Sequence, residues 1–204
     1  MPLSLTALVV ANLIPLAGTL FLDWSAGSIL VLYWAENVII GGYTVLKFWS
    51  VPRAEGENSV LPRVLASVFF CFHYGIFMLV HGVFTALIAA SGEGSGRGLD
   101  DGPLAILSYL GRGGVGYALL GLVLSHGVSF VTNFWIGGER HRLGVGQLIT
   151  QPYARLVVMH VAVLVGGFGL ALLGSPAPAL AALVALKVGL DVRSHRRERR
   201  LAVT

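Results

Sequence analysis

VLASVFFCFHYGIFMLVHGVFTALIAA, residues 64–90, decides the fold of this chain. It holds no Asp, Glu, Lys or Arg. As a helix it would be about 40 Å long at 1.5 Å per residue, and about 20 apolar residues already cross a hydrocarbon core about 30 Å thick. A run of this length and purity is a membrane span, and its two histidines, His73 and His81, then stand inside the bilayer. The flanking residues are of the opposite kind: Arg53 and Arg63 precede it, and a Gly-rich acidic stretch follows it.

The same reading extends outward in both directions. Apolar stretches at 3–22, 26–48, 64–90, 114–136, 153–174 and 177–194 give an all-α integral membrane protein, six transmembrane helices in a single bundle spanning residues 1–204. Composition agrees: 55 % of the 204 residues are hydrophobic and 12 % charged, which excludes a soluble domain of this size. The formal charge of +4 would in a soluble protein suggest nucleic acid, but here the cations follow the membrane. With the N-terminus inside, Lys47, Arg53, Arg63, Arg140, Arg142, Arg155 and the tail residues Arg193, Arg196, Arg197, Arg199 and Arg200 fall on inner segments, against only Arg97 and Arg112 outside. The positive-inside rule therefore predicts both termini in the cytoplasm of a multi-pass cell-membrane protein, with membrane lipids as its partners and no nucleic acid. The tail 193–204 reads as a topology anchor.

The first stretch lacks a basic n-region and an A-x-A-like cleavage site and carries Asn12 and Pro15, so it reads as a retained, kinked helix. The outer loop 91–113 has a Gly-rich acidic half and then an apolar run too short to span, expected to lie at the interface or dip into the bundle. Its glycines follow no strand, which removes a phosphate-loop reading. Cys71 is the only cysteine, so no intrachain disulfide can form.

Ionisable groups at membrane depth cost roughly 2.5 to 3.5 kcal/mol each and so face a protein interior or a water-filled cavity. The chain has many of them: Glu36 beside Asn37 in the second span, His73 and His81 in the third, His126 in the fourth, His160 in the fifth, and Lys187, Asp191 and His195 in or at the end of the sixth. Counted from the inner helix ends, Glu36, His73, His160 and Asp191 reach similar heights, and Asp191 and His195 share a helix face. His81 lies eight residues beyond His73, about 12 Å along one helix, and is expected in a separate outer layer. His126 stands among Ser125, Ser129, Thr132 and Asn133 on a polar face.

Imidazole and carboxylate together suit a divalent metal such as zinc or iron. The expected ligands are His73, His160, Asp191 and His195, with Glu36 and Asp191 as catalytic proton carriers for an apolar small-molecule or lipid substrate. The corresponding activity is a metal-dependent membrane hydrolase, in which metal-bound water attacks a carbonyl. Two other functions use the same residues. His73 and His160 could be axial ligands of a haem in an electron carrier, or the His and acid set could serve as the relay of a proton-coupled transporter or channel. A single membrane histidine also has a plainer role as an interhelical hydrogen-bonding group, and Lys187 with Asp191 as an intrahelical ion pair.

The elements ANLIPLAG, LYWAENVIIGGYTVLKF, FFCFHYGIFMLVHGVF, ARLVVMHVAV and ALKVGLDVRSH resemble those of the uncharacterised integral membrane family DUF6498 over nearly the whole chain. The resemblance implies shared motif positions at Glu36, Asn37, His73, His81, His160, Lys187 and Asp191, without an assigned activity. A looser likeness is to the CREST superfamily of seven-helix metal-dependent membrane hydrolases. The chain departs from it in having six spans and in offering only Asp191 and His195 at the spacing of that superfamily's closing H-x-x-x-H.

Overall fold

The computed structural model describes residues 25–53, 59–92, 106 and 114–174. The expected spans 3–22 and 177–194, most of the loop 91–113, the tail, and with them Lys187, Asp191 and His195, lie outside the described residues.

Within them the chain forms α1 (Ala26–Ser50), α2 (Leu61–Gly92), α3 (Val115–Ser129), which runs on as a π-helical segment (Phe130–Ile136), a 3₁₀ turn (Glu139–His141), a short α4 (Val145–Thr150) and α5 (Tyr153–Leu173). No strand occurs among the described residues. Four helical passages are long and apolar enough to cross a membrane: Gly27–Ser50, Leu61–Ser91, Val115–Ile136 and Val145–Leu173. They coincide with the four middle spans read from the sequence, except that the last begins at Val145 instead of residue 153.

Local chemistry explains the helix ends. Ser25 caps α1, its side chain accepting the Ser28 N–H at 3.1 Å, and Pro52 stands just past the end. Ser59 accepts the N–H of Leu61 at the start of α2, and Pro62 sits in the first turn, where its missing donor costs nothing. The α3 passage widens near its end: the Gly137 N–H donates to the Thr132 carbonyl at 2.8 Å, a bond closed over five residues. Pro152 separates α4 from α5 while Gln151 keeps helical dihedrals, so the two form one passage interrupted at the proline.

The α1–α2 pair is the centre of the bundle, antiparallel and close. A Cβ on Gly27 would come within 2.8 Å of the Ala89 Cβ, so only glycine allows the backbones this approach. Further along the seam the Trp34 indole N–H donates to the Met78 carbonyl at 2.8 Å, and the Tyr74 hydroxyl donates to the Asn37 carbonyl at 3.0 Å. Asn37 is fully buried and its side-chain amide donates to the Tyr33 carbonyl. Asn37 thus belongs to the packing seam. At one end Phe48, Phe70, Tyr74, Phe134, Leu148 and Leu156 form an apolar cluster that brings α1, α2, the π segment, α4 and α5 together. By contrast many large apolar side chains face outward, among them Phe72, Leu79, Tyr117, Phe168 and Leu172, as the lipid-facing surface of a bundle would.

Candidate functional site

Glu36 is the fulcrum of the polar interior. It lies on α1, only 12 % exposed, and its Oε1 accepts from the Arg155 guanidinium at 2.8 Å and stands 3.6 Å from His126 Nε2. The three residues come from α1, α3 and α5, so the contact joins three helices. Arg155 and His126 are more open, at 44 % and 25 % exposed. Arg155 lies three residues past Pro152, in the first turn of α5, so the interruption sets where its guanidinium enters the bundle.

Beside this triad opens a pocket of about 200 Å³, walled by Tyr43, Thr44 and Lys47 of α1, by His126, Ser129 and Phe130, and by Gln151 and Arg155. Tyr43 donates to the Val123 carbonyl at 3.0 Å, and a Cβ on Gly127 would meet its hydroxyl at 2.8 Å, so a glycine there makes room for the wall. Lys47 Nζ lies 5.2 Å from the centre of the Phe134 ring. The helix turns π-helical at Phe130, on the pocket wall; such segments are frequent at functional sites. Among the described residues near the triad are Tyr74, which donates to the residue next to Glu36, and Tyr153, whose ring packs at 6.0 Å on Tyr74.

Two histidine contacts lie between the parallel helices α2 and α5. His73 Nδ1 meets the Tyr153 hydroxyl at 2.7 Å, with Phe69 stacked on the imidazole. His81 Nε2 meets His160 Nδ1 at 3.0 Å, and His81 Nδ1 meets the Phe77 carbonyl at 2.7 Å. A carbonyl only accepts, so His81 carries its proton on Nδ1 and, when neutral, accepts at Nε2. His160 then donates from Nδ1 and keeps a bare lone pair on Nε2. His81 is buried and His160 exposed.

The heights inferred from sequence change accordingly. His160 pairs with His81 and stands in the layer expected to be separate, while the level of His73 is occupied by Tyr153. The reason is the start of the fifth passage at Val145, which lifts Tyr153 to the height of His73 and places His160 about two turns higher. Glu36 is joined to Arg155 and His126 instead of to His73 and His160. Sequence reasoning left His126 unplaced and took Arg155 only as an inner flanking charge. Lys47, Tyr43, Gln151 and Tyr153 were also missed; the one available signal was that Lys47 and Arg155 lie at the ends of spans containing polar residues. Among the described residues no group of three or more His, Cys, Asp or Glu side chains could hold one metal ion. Asp191 and His195, the other expected ligands, fall beyond them.

A family model described as a family of unknown function, DUF6498, matches residues 2–203. Neither the curated proteins nor the solved structures give a match, and the likeness to the CREST superfamily receives no support from them.

Proposed function

We propose that this chain, which belongs to the DUF6498 family of unknown function, is a proton-coupled transporter or channel whose proton-exchanging centre is Glu36 with Arg155 and His126. The observation that carries the reading is the shared Oε1 of Glu36, 2.8 Å from Arg155 Nη1 and 3.6 Å from His126 Nε2, on the edge of a polar pocket. At 3.6 Å the two groups stand just beyond direct hydrogen-bond reach, so a proton passes between them after a small side-chain adjustment or through one bridging water: the proton leaves imidazolium Nε2, neutral imidazole remains, and Glu36 becomes the carboxylic acid. Arg155 holds the ionised form when the proton has gone. Each state needs only side-chain adjustment within a triad spread over three helices.

The bundle end carrying Lys47, Arg53, Arg63, Arg140, Arg142 and Arg155 faces the cytoplasm in this reading, with both termini on that side and the stretches 3–22 and 177–194 completing six spans. The pocket then opens near the inner membrane surface.

The test is proton flux in liposomes loaded with a pH-sensitive dye, driven in one series by a potassium diffusion potential and in another by an inward proton gradient with phosphate outside. The wild-type chain should acidify the lumen faster than empty liposomes, and Glu36→Gln should lose that increment. Equal flux in the two proteins overturns the reading.

A metal-dependent hydrolase is the second reading, favoured by one observation: His160 presents a bare Nε2 while its Nδ1–H is held by His81, itself anchored on the Phe77 carbonyl. Metal-ligating histidines are backed in this way. Zinc or iron would be taken by His160 with Asp191 and His195, and stoichiometric metal lost in His160→Ala would favour it.

A further inference from the structure

We infer that the pocket beside Glu36 binds a small oxyanion, a carboxylate or a phosphate group, and that it does so together with a proton taken up on Glu36. The inference rests on the proton-exchange reading above and names the substrate class of the same site.

The charges on the pocket wall lead to it. Lys47 and Arg155 bring two basic side chains from α1 and α5, and His126, Gln151, Thr44 and Ser129 add polar groups. Among the described residues, a carboxylate that reaches a cation of this wall is Glu36, engaged by Arg155 at 2.8 Å. Charge at membrane depth has to be compensated. With Glu36 ionised, Arg155 is neutralised from within the protein. With Glu36 protonated, the guanidinium loses that partner, and the pocket is left with a charge that an oxyanion neutralises. Proton plus monoanion enter without altering the net charge of the site, and the guanidinium fork matches the two oxygens of a carboxylate or phosphate.

Size narrows the ligand. At about 200 Å³ the pocket is smaller than the roughly 300 to 1,000 Å³ typical of sites for whole drug-sized molecules, so it holds a headgroup or a small anion. Among the described residues, Tyr43 of α1 and His126 of α3 stand on the pocket wall, Glu139 of the 3₁₀ turn attracts Lys47, and Tyr74 and His73 of α2 pack on Tyr153, two residues before Arg155 in α5. Glu139 is offset in its own turn by Arg140 and Arg142. His126 stands 3.6 Å from the same carboxylate oxygen, so the linkage must be assigned by substitution.

The experiment is calorimetric titration of the full chain in phosphatidylcholine nanodiscs with inorganic phosphate and with acetate, and a parallel titration with nanodiscs containing phosphatidic acid. Because one proton accompanies each anion, affinity should rise as pH falls, approaching about tenfold per unit at the limit. Glu36→Gln, which imitates the protonated acid, should bind without that pH dependence, and Lys47→Gln should bind at least tenfold more weakly, with Lys47→Arg restoring it. Binding of free anions identifies an aqueous substrate; a response confined to phosphatidic acid identifies a lipid headgroup; either supports the inference. Wild-type affinity in Lys47→Gln, pH dependence retained in Glu36→Gln, or no binding by any anion overturns it. Anion binding linked to pH without proton flux would remove transport and leave this site standing. Glu36-dependent flux without anion binding would do the reverse.

Discussion

His81 and His160 stand with their ring nitrogens 3.0 Å apart, in an order set by the Phe77 carbonyl: carbonyl, His81, His160, and then an open lone pair. Their identities as donor and acceptor follow from the Phe77 carbonyl, which accepts and cannot donate. Nitrogen NMR of histidine-labelled protein should therefore find both rings protonated on Nδ1 and His160 Nε2 unprotonated. His160→Phe should cost about 0.6 to 1.7 kcal/mol, the range of interhelical hydrogen bonds in membranes, and should shift the His81 Nε2 resonance. An unmoved His81 signal would dissolve the pair.

The Glu36–Arg155 contact predicts a non-additive pair. Breaking a fully buried ion pair from one side costs roughly 3–5 kcal/mol, and the 44 % exposure of Arg155 lowers the expectation here to roughly 1–3. Arg155→Met, which removes the 2.8 Å partner of the more buried Glu36, should lower the unfolding midpoint in detergent clearly, and in a double-mutant cycle with Glu36→Leu the two losses should sum to more than the loss of the double variant. Strictly additive effects would mean the two side chains act independently.

Tyr153 and His73 form the corresponding contact one layer away, at 2.7 Å. Tyr153→Phe keeps the ring that packs at 6.5 Å on Phe70 and 6.0 Å on Tyr74, so it removes only the hydrogen bond. The expected loss is about 1 kcal/mol. In a His73→Phe background the same substitution should be nearly neutral, and a full repeat of the loss in that background would refute the contact.

Gly27 sets the α1–α2 distance. Gly27→Val should destabilise the fold by about 1–3 kcal/mol through overpacking. Adding Ala89→Gly should restore only part, because the new Cβ would still lie 2.9 Å from the Ala89 Cα and 3.2 Å from its carbonyl oxygen. Thermal unfolding of the three proteins distinguishes partial recovery from complete recovery, which would mean that the helices separate without cost.

The sequence by itself determined that the chain is helical and apolar enough to cross a membrane, and it located three of the passages to within a few residues and the next except for its first eight residues. It could do so because hydrophobicity and helix ends are local: the 64–90 run, Ser25 before α1, Pro62 in α2 and Pro152 before α5 act on neighbours in the chain. It also identified Glu36, His73, His81, His126 and His160 as polar residues within the spans, since lipid leaves such side chains no neutral place. Which of them meet was decided by the tertiary structure. A partner depends on each helix's rotation and on its height against the next, and those are fixed by contacts such as Gly27 on Ala89 and Phe48 on Phe70, far apart in sequence. An eight-residue extension of the fifth passage, down to Val145, is enough to give His160 to His81 and Tyr153 to His73, and the turn of α5 after Pro152 is enough to carry Arg155 to Glu36.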